Sequence, residues 1–371
     1  MRSRHERKAF VNLAYRLYAD DPHWVAPLVG DVLEKLDPRR HPFYTHSKAE
    51  AFLAREGDRI VGRVVALVNE EHNKIHGEKT AGFGLIEFEQ RDAVAQSLIA
   101  ACARWARDEG MEILRGPFNL STNEDCGTLI DGFGLPPAVM MPYNPPWHAT
   151  LLTAAGLRQA KTLLAYSIEE DSDSFDRLRK LGGRLLERGG LSIRPFDKRR
   201  FDEEVACTRA IYNDAWEANW GFVPMTDEEF EWQARKLKPV LVPDMALFVE
   251  KEGESLPVAF SLSLPDYNQA LISLRGRLFP FGIFKFLLKR GKIDAVRVLT
   301  LGVRKGFRGL GIDGLLIHKT VENGLARGYV HGELSWILEE NESVRRVVEK
   351  MGAKVYKKYA IWEAAVEDFA R

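Results

Sequence analysis

The stretch that most constrains the fold is residues 296–317, VRVLTLGVRKGFRGLGIDGLLI. An apolar run rich in β-branched residues ends in a basic, glycine-rich turn, and an apolar run with helical spacing follows. The first amides of a helix have no intrahelical partners, and the helix dipole favours negative charge beside them. Glycine lets the backbone approach an anion closely. The stretch therefore predicts a strand, a phosphate-binding loop and a helix.

A dinucleotide site is one interpretation of this loop. Residues 309–314, GLGIDG, fit the GxGxxG pattern, and Glu333 lies about 20 residues further on, where such a fold places an acid for the ribose. In those folds the first glycine follows its strand almost directly, whereas residues 304–308 intervene here. The chain beyond Glu333 is also too short for the remaining units of a doubly wound sheet. Dinucleotide binding is therefore the weaker alternative.

A second pattern fits the same residues better. Residues 301–317, LGVRKGFRGLGIDGLLI, resemble the LxVxxxxRGxGI…LL signature of the GNAT acyltransferase superfamily. Asn341, followed by the sequence KMG at 350–352, resembles the N…EKxGF ending of that superfamily. The order of predicted strands and helices across 191–363 agrees with it as well. The resemblance implies an α/β (mixed α+β) fold that uses acetyl-CoA or another acyl-CoA as substrate and needs no metal.

The resemblance also implies a role for each loop residue. Backbone amides of the loop would bind the coenzyme pyrophosphate, and the guanidinium of Arg308 would neutralise phosphate charge. The exposed strand backbone would bind the pantetheine and polarise the thioester carbonyl. Asn341 would contact the cofactor arm or the substrate. The expected cofactor-binding residues are Leu301, Val303, Arg308, Gly309, Leu310, Gly311, Ile312 and Asp313.

Two residues depart from the superfamily pattern. Asp313 replaces a small residue, and its carboxylate would repel phosphate unless it serves as a helix cap. Val348 replaces the tyrosine that often protonates the leaving thiolate, a role that Tyr356 or Tyr359 could take. Glu333 is the candidate general base for the amine, although a structural ion pair explains an acid in this strand equally well. The candidate catalytic residues are Glu333, Asn341, Tyr356 and Tyr359.

The two halves of the 371-residue chain have a similar order of predicted elements, which suggests a repeat. We expect a degenerate GNAT-like domain at 1–170, a helical connector at 171–190, and a GNAT-like domain with the acyl-CoA site at 191–371. In the first half the corresponding turn is EFEQRD at 87–92, without glycine and with acids where phosphate would lie. That half is predicted not to bind coenzyme. Its long loop, 115–147, could line the acceptor pocket or pack at the domain interface.

An insertion at 265–294 combines aromatic, aliphatic and basic residues. It could form a lid, a groove for a long acyl chain, a surface for an acidic carrier protein, or a helix packed in the core whose cations reach solvent. Its most apolar run, 278–288, is shorter than the roughly 20 residues that span a bilayer. Membrane spanning is therefore not expected, whereas lipid contact stays open.

The composition limits the kinds of molecule and metal that the chain is expected to bind. The 53 basic and 53 acidic residues cancel, so no overall field attracts nucleic acid. The three cysteines form no CxxC pair, which suits a reducing cytoplasm better than a disulfide framework or a zinc site. His72 and His76 have a metal-compatible spacing, but their polar surroundings favour a solvated loop.

Taken together, the sequence predicts tandem GNAT-like acyl-CoA N-acyltransferase folds, each a twisted mixed sheet flanked by helices. The predicted reaction is direct attack of a small-molecule amine or amino-acid-like acceptor on the acyl-CoA in a ternary complex. An acyl carrier protein is a further candidate partner. The alternative from another class is a non-catalytic acyl-CoA or lipid-binding module.

Overall fold

The computed structural model describes residues 3–169, 190–217 and 219–369. The chain divides into two compact units. Unit 1 comprises Met1–Leu163, Asn268–Gly291 and Lys357–Arg371, and unit 2 comprises Leu164–Tyr267 and Lys292–Tyr356. Each unit thus takes segments from both halves of the sequence. The predicted connector at 171–190 lies, except for Gly190, outside the described residues, and the predicted domain boundaries remain predictions.

Strands and helices alternate along the chain. The strands are β1 Ser47–Glu56, β2 Arg59–Asn69, β3 Thr80–Phe88, β4 Ile113–Gly116, β5 Thr128–Asp131, β6 Arg158–Glu169, β7 Leu191–Pro195, β8 Ala246–Lys251, β9 Ala259–Pro265, β10 Ala295–Val303, β11 His331–Leu338 and β12 Lys354–Ala365. The α-helices are α1 Arg4–Leu17, α2 Val29–Lys35, α3 Glu70–His76, α4 Asp92–Asp108, α5 Trp147–Ala154, α6 Phe201–Trp216, α7 Asp227–Leu237, α8 Asn268–Leu271, α9 Gly282–Arg290, α10 Ile312–Ala326 and α11 Glu342–Lys350.

In unit 1 the strand order is β1, β2, β3, β4, β12, and β5 also pairs with β12. β1, β2 and β3 are antiparallel neighbours, whereas β3 and β4 are parallel. Helix α4 packs on this sheet because its apolar residues, among them Leu98, Ile99 and Cys102, recur at helical spacing and are buried. The solvated loop predicted at His72 and His76 is wrong, since both lie on helix α3.

In unit 2 the strand order is β6, β11, β10, β9, β8, β7. β10 and β11 are parallel, and β7 to β10 are antiparallel neighbours. On one face, Ile312 and Leu316 of α10 pack against Ala259. On the other, Phe201 of α6 packs in a cluster with Phe260. A doubly wound dinucleotide fold needs a parallel sheet here, so the antiparallel β9–β10 pair excludes the dinucleotide interpretation.

A buried histidine in unit 1 makes the fold sensitive to pH. His148 at the start of α5 is 2% exposed, and its ring stacks on Phe88 with 4.2 Å between ring centroids. Burial lowers the pKa of His148 from 6.5 to about 3, because the apolar surroundings disfavour the charged imidazolium. Below pH 6.5 the unfolded chain therefore binds a proton that the folded chain does not, and stability falls until the pH reaches the folded-state pKa.

We expect His148→Phe to lose less stability on acidification than the natural chain. Removing the titrating group should save about 2 kcal/mol of unfolding free energy between pH 7.5 and pH 5, at ~1.4 kcal/mol per pH unit below 6.5. Urea unfolding followed by circular dichroism at the two pH values measures the difference. His5→Phe, an exposed substitution on α1, is the control. An equal pH dependence in both variants would refute the assignment.

Candidate functional site

A gap opens in the sheet of unit 2 between two neighbouring parallel strands. β10 and β11 pair only as far as Val298 and Leu334, although both strands continue beyond these residues. β10 remains paired to β9 on its other side to its end at Val303. The β9–β10 register shifts just after Val298, which marks a bulge at Leu299. Among the described residues, the backbone of 299–303 therefore borders a gap on its β11 side.

The amides along this edge alternate in direction. The N–H of Arg304 donates to the carbonyl of Val258 at 2.9 Å, on the β9 side. Because successive N–H groups of a strand point to opposite sides, the amides of Leu301 and Val303 face the gap. In agreement, the carbonyl of Val303 accepts a hydrogen bond from Nε of Arg308 at 3.3 Å, away from β9. The two strand residues that the sequence predicted to bind the coenzyme therefore border the gap.

The glycine-rich loop leads from this edge into α10. Gly309 and Gly311 have φ angles of +75° and +82°, a left-handed conformation that glycine adopts without strain. Gly311 is the N-cap of α10, and no side chain in the described part of the chain caps this helix. A Cβ on Gly309 would meet nothing within 4 Å, so the loop is open to solvent. Asp313 lies in the first helical turn and does not cap the helix, so its carboxylate opposes phosphate binding at these amides, as the sequence led us to expect.

Two basic residues of the loop hold it to the end of α6. The guanidinium of Arg308 donates to the carbonyls of Asp214 at 3.2 Å and Ala215 at 2.9 Å, where a cation complements the negative end of the helix dipole. The backbone N–H of Lys305 donates to Oδ2 of Asp214 at 2.8 Å, and its ammonium pairs with Glu217. Arg308, which the sequence predicted to bind phosphate, thus also holds the loop to α6.

Close packing reinforces this attachment. A Cβ on Gly302 would lie 2.3 Å from the ring of Trp216 and 2.8 Å from Cβ of Ala215, so only glycine lets the end of α6 approach β10 this closely. Sequence reasoning missed this contact. An isolated glycine inside a strand is nevertheless a recognised sign of close approach, and it could have indicated the contact.

A buried polar cluster lies where the pairing of β10 and β11 ends. Arg297 and Glu333 are register partners, and Nε of Arg297 lies 3.7 Å from Oε1 of Glu333. Nε of Arg297 also donates to Oγ of Ser335 at 2.8 Å. The hydroxyls of Ser335 and Tyr356 both donate to the Glu333 carboxylate. The Glu333 carboxylate is thus in contact with one guanidinium and two hydroxyl donors.

Of the four predicted catalytic residues, the structure shows two in contact with each other. Glu333 and Tyr356 are in direct contact. Tyr359 instead belongs to unit 1, where it is buried and pairs with Leu129 of β5. Asn341 caps α11, because its Oδ1 accepts the N–H of Val344 at 3.3 Å.

The sequence interpretation missed Arg297 and Ser335. A lone arginine in the otherwise apolar run VRVLTLGV was the available signal for the buried pair. Val348, which the sequence resemblance matched to the superfamily tyrosine, is 1% exposed and packs in the core with Leu334 and Ile317. This position can supply no proton to a leaving group.

In unit 1 the corresponding gap is filled by the chain itself. β3 and β4 also pair over a short stretch only. Beyond it, the N–H of Phe118 donates to the carbonyl of Phe83 at 2.7 Å, and Oδ1 of Asn119 accepts the N–H of Leu85 at 2.9 Å. A Cβ on Gly84 would lie 1.7 Å from the carbonyl oxygen of Phe118. The stretch predicted as one loop at 115–147 contains the end of β4 and all of β5, and its residues just after β4 close the gap that stays open in unit 2.

This combination of sheets, gap and loop defines the class of protein as a tandem GNAT fold. Among solved structures, the chain is similar to a tandem GNAT protein from the clavulanic acid biosynthesis pathway, with a TM-score of 0.57 and 14% sequence identity. The similarity covers 98% of this chain and 96% of that one. The predicted fold class and the resemblance to the GNAT superfamily are confirmed.

Two curated proteins are similar in sequence over almost the whole chain. Protein YghO of Escherichia coli K12 is 34% identical over 98% of this chain and 94% of its own length. Bacterial ceramide synthase of Caulobacter vibrioides is 35% identical over 97% of this chain and 95% of its own length. The chain belongs to the family that these two proteins represent. No family model matches the chain.

Proposed function

We propose that unit 2 is an N-acyltransferase that moves a long acyl group from an acyl-CoA to the amine of a long-chain amino alcohol. The observation that carries the proposal is the open gap beside β10, with the amides of Leu301 and Val303 directed into it and an uncapped helix start next to it. Both features suit a ligand that carries an extended amide-bearing arm and a pyrophosphate.

The donor would bind in two parts. The pantetheine amides and the thioester carbonyl would take the place of the missing strand partner and accept hydrogen bonds from the strand amides of residues 301 and 303. The pyrophosphate would lie on the first-turn amides of α10, which no side chain caps. Arg308 would contribute positive charge nearby without leaving its helix contacts. Unit 1 would not bind a donor, since its own loop fills the corresponding gap.

The acceptor class is supported by the relative named bacterial ceramide synthase, 35% identical to this chain. A ceramide is an amide formed between a fatty acid and a long-chain amino alcohol. The name therefore specifies transfer to nitrogen and two long apolar substrates. We extend both features to this chain.

The buried cluster suggests how protons would move. The amine nitrogen attacks the thioester carbonyl carbon, a C–N bond forms and the C–S bond breaks. Glu333 would take the proton from the amine, directly or through water, and Tyr356 would give its proton to the leaving thiolate. Since Tyr356 donates to Glu333, the proton taken from the amine can return along this bond and restore both groups. Val348 cannot take the role of the acid.

We expect Gly311→Asp to weaken binding of octanoyl-CoA about tenfold relative to Gly311→Asn. Asparagine and aspartate both tolerate the left-handed conformation, so the two variants differ mainly in a negative charge at the helix start. Calorimetric titration of the full chain measures both affinities. Gly30→Asp, in open space on α2, should bind like the natural protein. Equal affinities of the Asp and Asn variants would contradict the pyrophosphate site.

Turnover of palmitoyl-CoA with sphinganine should fall by about 10²–10⁴ in kcat for Glu333→Gln, with little change in octanoyl-CoA affinity. Release of the free thiol and amide formation, followed by mass spectrometry, measure the reaction. Rates are given per mole of folded protein as judged by circular dichroism, because removing one charge of the buried Arg297–Glu333 pair also lowers stability. Tyr356→Phe should also lower kcat, because phenylalanine has no proton to give to the leaving thiolate. Glu339→Gln, exposed just after β11, is the matched control.

Full activity of Glu333→Gln would assign the cluster a structural role and place the base elsewhere. The buried valine at 348 favours one competing function, a binding module without catalysis. Coenzyme binding without amide formation from any amine in a panel of short and long acceptors would support that module and overturn the proposed enzyme.

A further inference from the structure

The segment Asn268–Gly291 is anchored at its base to the rest of unit 1. Ala270 and Leu274 are buried. A Cβ on Gly276 would lie 2.1 Å from the hydroxyl of Tyr15 and 2.6 Å from the carbonyl of Pro27, so the chain is pressed against the region of α1. Nδ2 of Asn268 donates to the carbonyl of Pro137 at 2.9 Å. The base of the segment is therefore held in a defined place.

The tip of the segment, residues 278–290, exposes its apolar side chains. Helix α9 contains no buried residue, so the interpretation of the insertion as a core helix is wrong. On α9 the exposed side chains recur at i, i+3 and i+4, which places them on one side of the helix. Five large apolar side chains are between 47% and 80% exposed, namely Phe279, Phe281, Phe284, Leu287 and Leu288.

The charged residues of the segment are all basic. Residues 268–293 contain no Asp or Glu in a chain whose net charge is zero. Lys285 and Lys289 lie four residues apart on α9, beside the apolar side that Phe284 and Leu288 form. The cations of this stretch are Arg275, Arg277, Lys285, Lys289, Arg290 and Lys292.

This pattern fits a lipid surface better than a protein partner. Lysine is depleted in protein interfaces, whereas Phe and Leu on one face with Lys and Arg beside them are typical of helices that lie in the interfacial region of a bilayer. Anionic headgroups attract clustered cations near the surface. No helix among the described residues is long and apolar enough to cross a membrane.

We propose that the 278–290 segment inserts its apolar side chains into the surface of an anionic bilayer and anchors unit 1 there. The cations on α9 would contact lipid headgroups while Phe281, Phe284 and Leu288 enter the acyl boundary. The anchor goes beyond the proposed function and is tested by binding alone. A lack of vesicle binding would therefore leave the proposed acyl transfer untouched, and a lack of acyl transfer would leave the proposed anchor untouched.

The experiment is sedimentation of the full chain with vesicles of phosphatidylglycerol and phosphatidylcholine, and with vesicles of phosphatidylcholine alone. We expect binding to the anionic vesicles that weakens about tenfold or more in 0.5 M salt or in K285E/K289E/R290E. F281S/F284S/L288S should weaken it by a similar factor or more. I75S/L135S/L256S removes exposed apolar side chains elsewhere and should bind normally. Matched melting temperatures show that every variant is folded.

Two results would overturn the proposal. One is vesicle binding that is absent, or that is unchanged in both tip variants. The other is binding of the same tip to an acidic acyl carrier protein without vesicle binding, which would assign the segment to a protein partner. Loss of vesicle binding in both tip variants, with the control variant unaffected, supports the anchor.

Discussion

The structure of unit 2 depends on the separation of two parallel strands. Backbone amides in a sheet interior normally have partners, and leaving them without one is costly. In unit 2 the bulge at Leu299 and the end of pairing at Val298 turn the amides of Leu301 and Val303 toward a gap. A ligand with an extended polar arm can supply the missing partners. The site is therefore a property of the backbone first and of side chains second.

The neighbouring side chains stabilise this arrangement. Trp216 packs on Gly302, and Arg308 binds the last carbonyls of α6, so the end of β10 and the loop after it are attached to α6. Where the strands part, Arg297 and Glu333 form a buried pair that Ser335 joins by hydrogen bonds. Breaking a buried pair of this kind by removing one partner is strongly destabilising, because the other charge is left uncompensated.

In unit 1 two parallel strands also separate, but residues of the chain itself supply the hydrogen-bond partners of the exposed strand. Phe118 and Asn119 satisfy the groups that β3 exposes beyond its pairing with β4, and Gly84 allows the loop to approach. The turn that follows β3 has no glycine. A tandem fold with one filled gap and one open gap accounts for a single proposed donor site in the part of the chain that the structure describes.

The sequence predicted the parts of the site that depend on local chemistry. Glycines at 309 and 311 have the left-handed angles that the loop needs, and α10 begins at Ile312 directly after them. Other features depend on residues far apart in the sequence. Arg308 binds α6 carbonyls more than 90 residues earlier, and the Asn268–Gly291 part of the insertion belongs to unit 1. The spacing of residues in the sequence does not predict these contacts, because they follow from tertiary packing.

Hydrogen exchange measured with and without octanoyl-CoA tests the central claim most directly, since it reports on the backbone amides themselves. The account predicts slower exchange in peptides covering 299–313 of unit 2 and unchanged exchange in peptides covering 83–92 of unit 1. Protection of 83–92, or none at 299–313 under conditions where the ligand binds, would contradict the account.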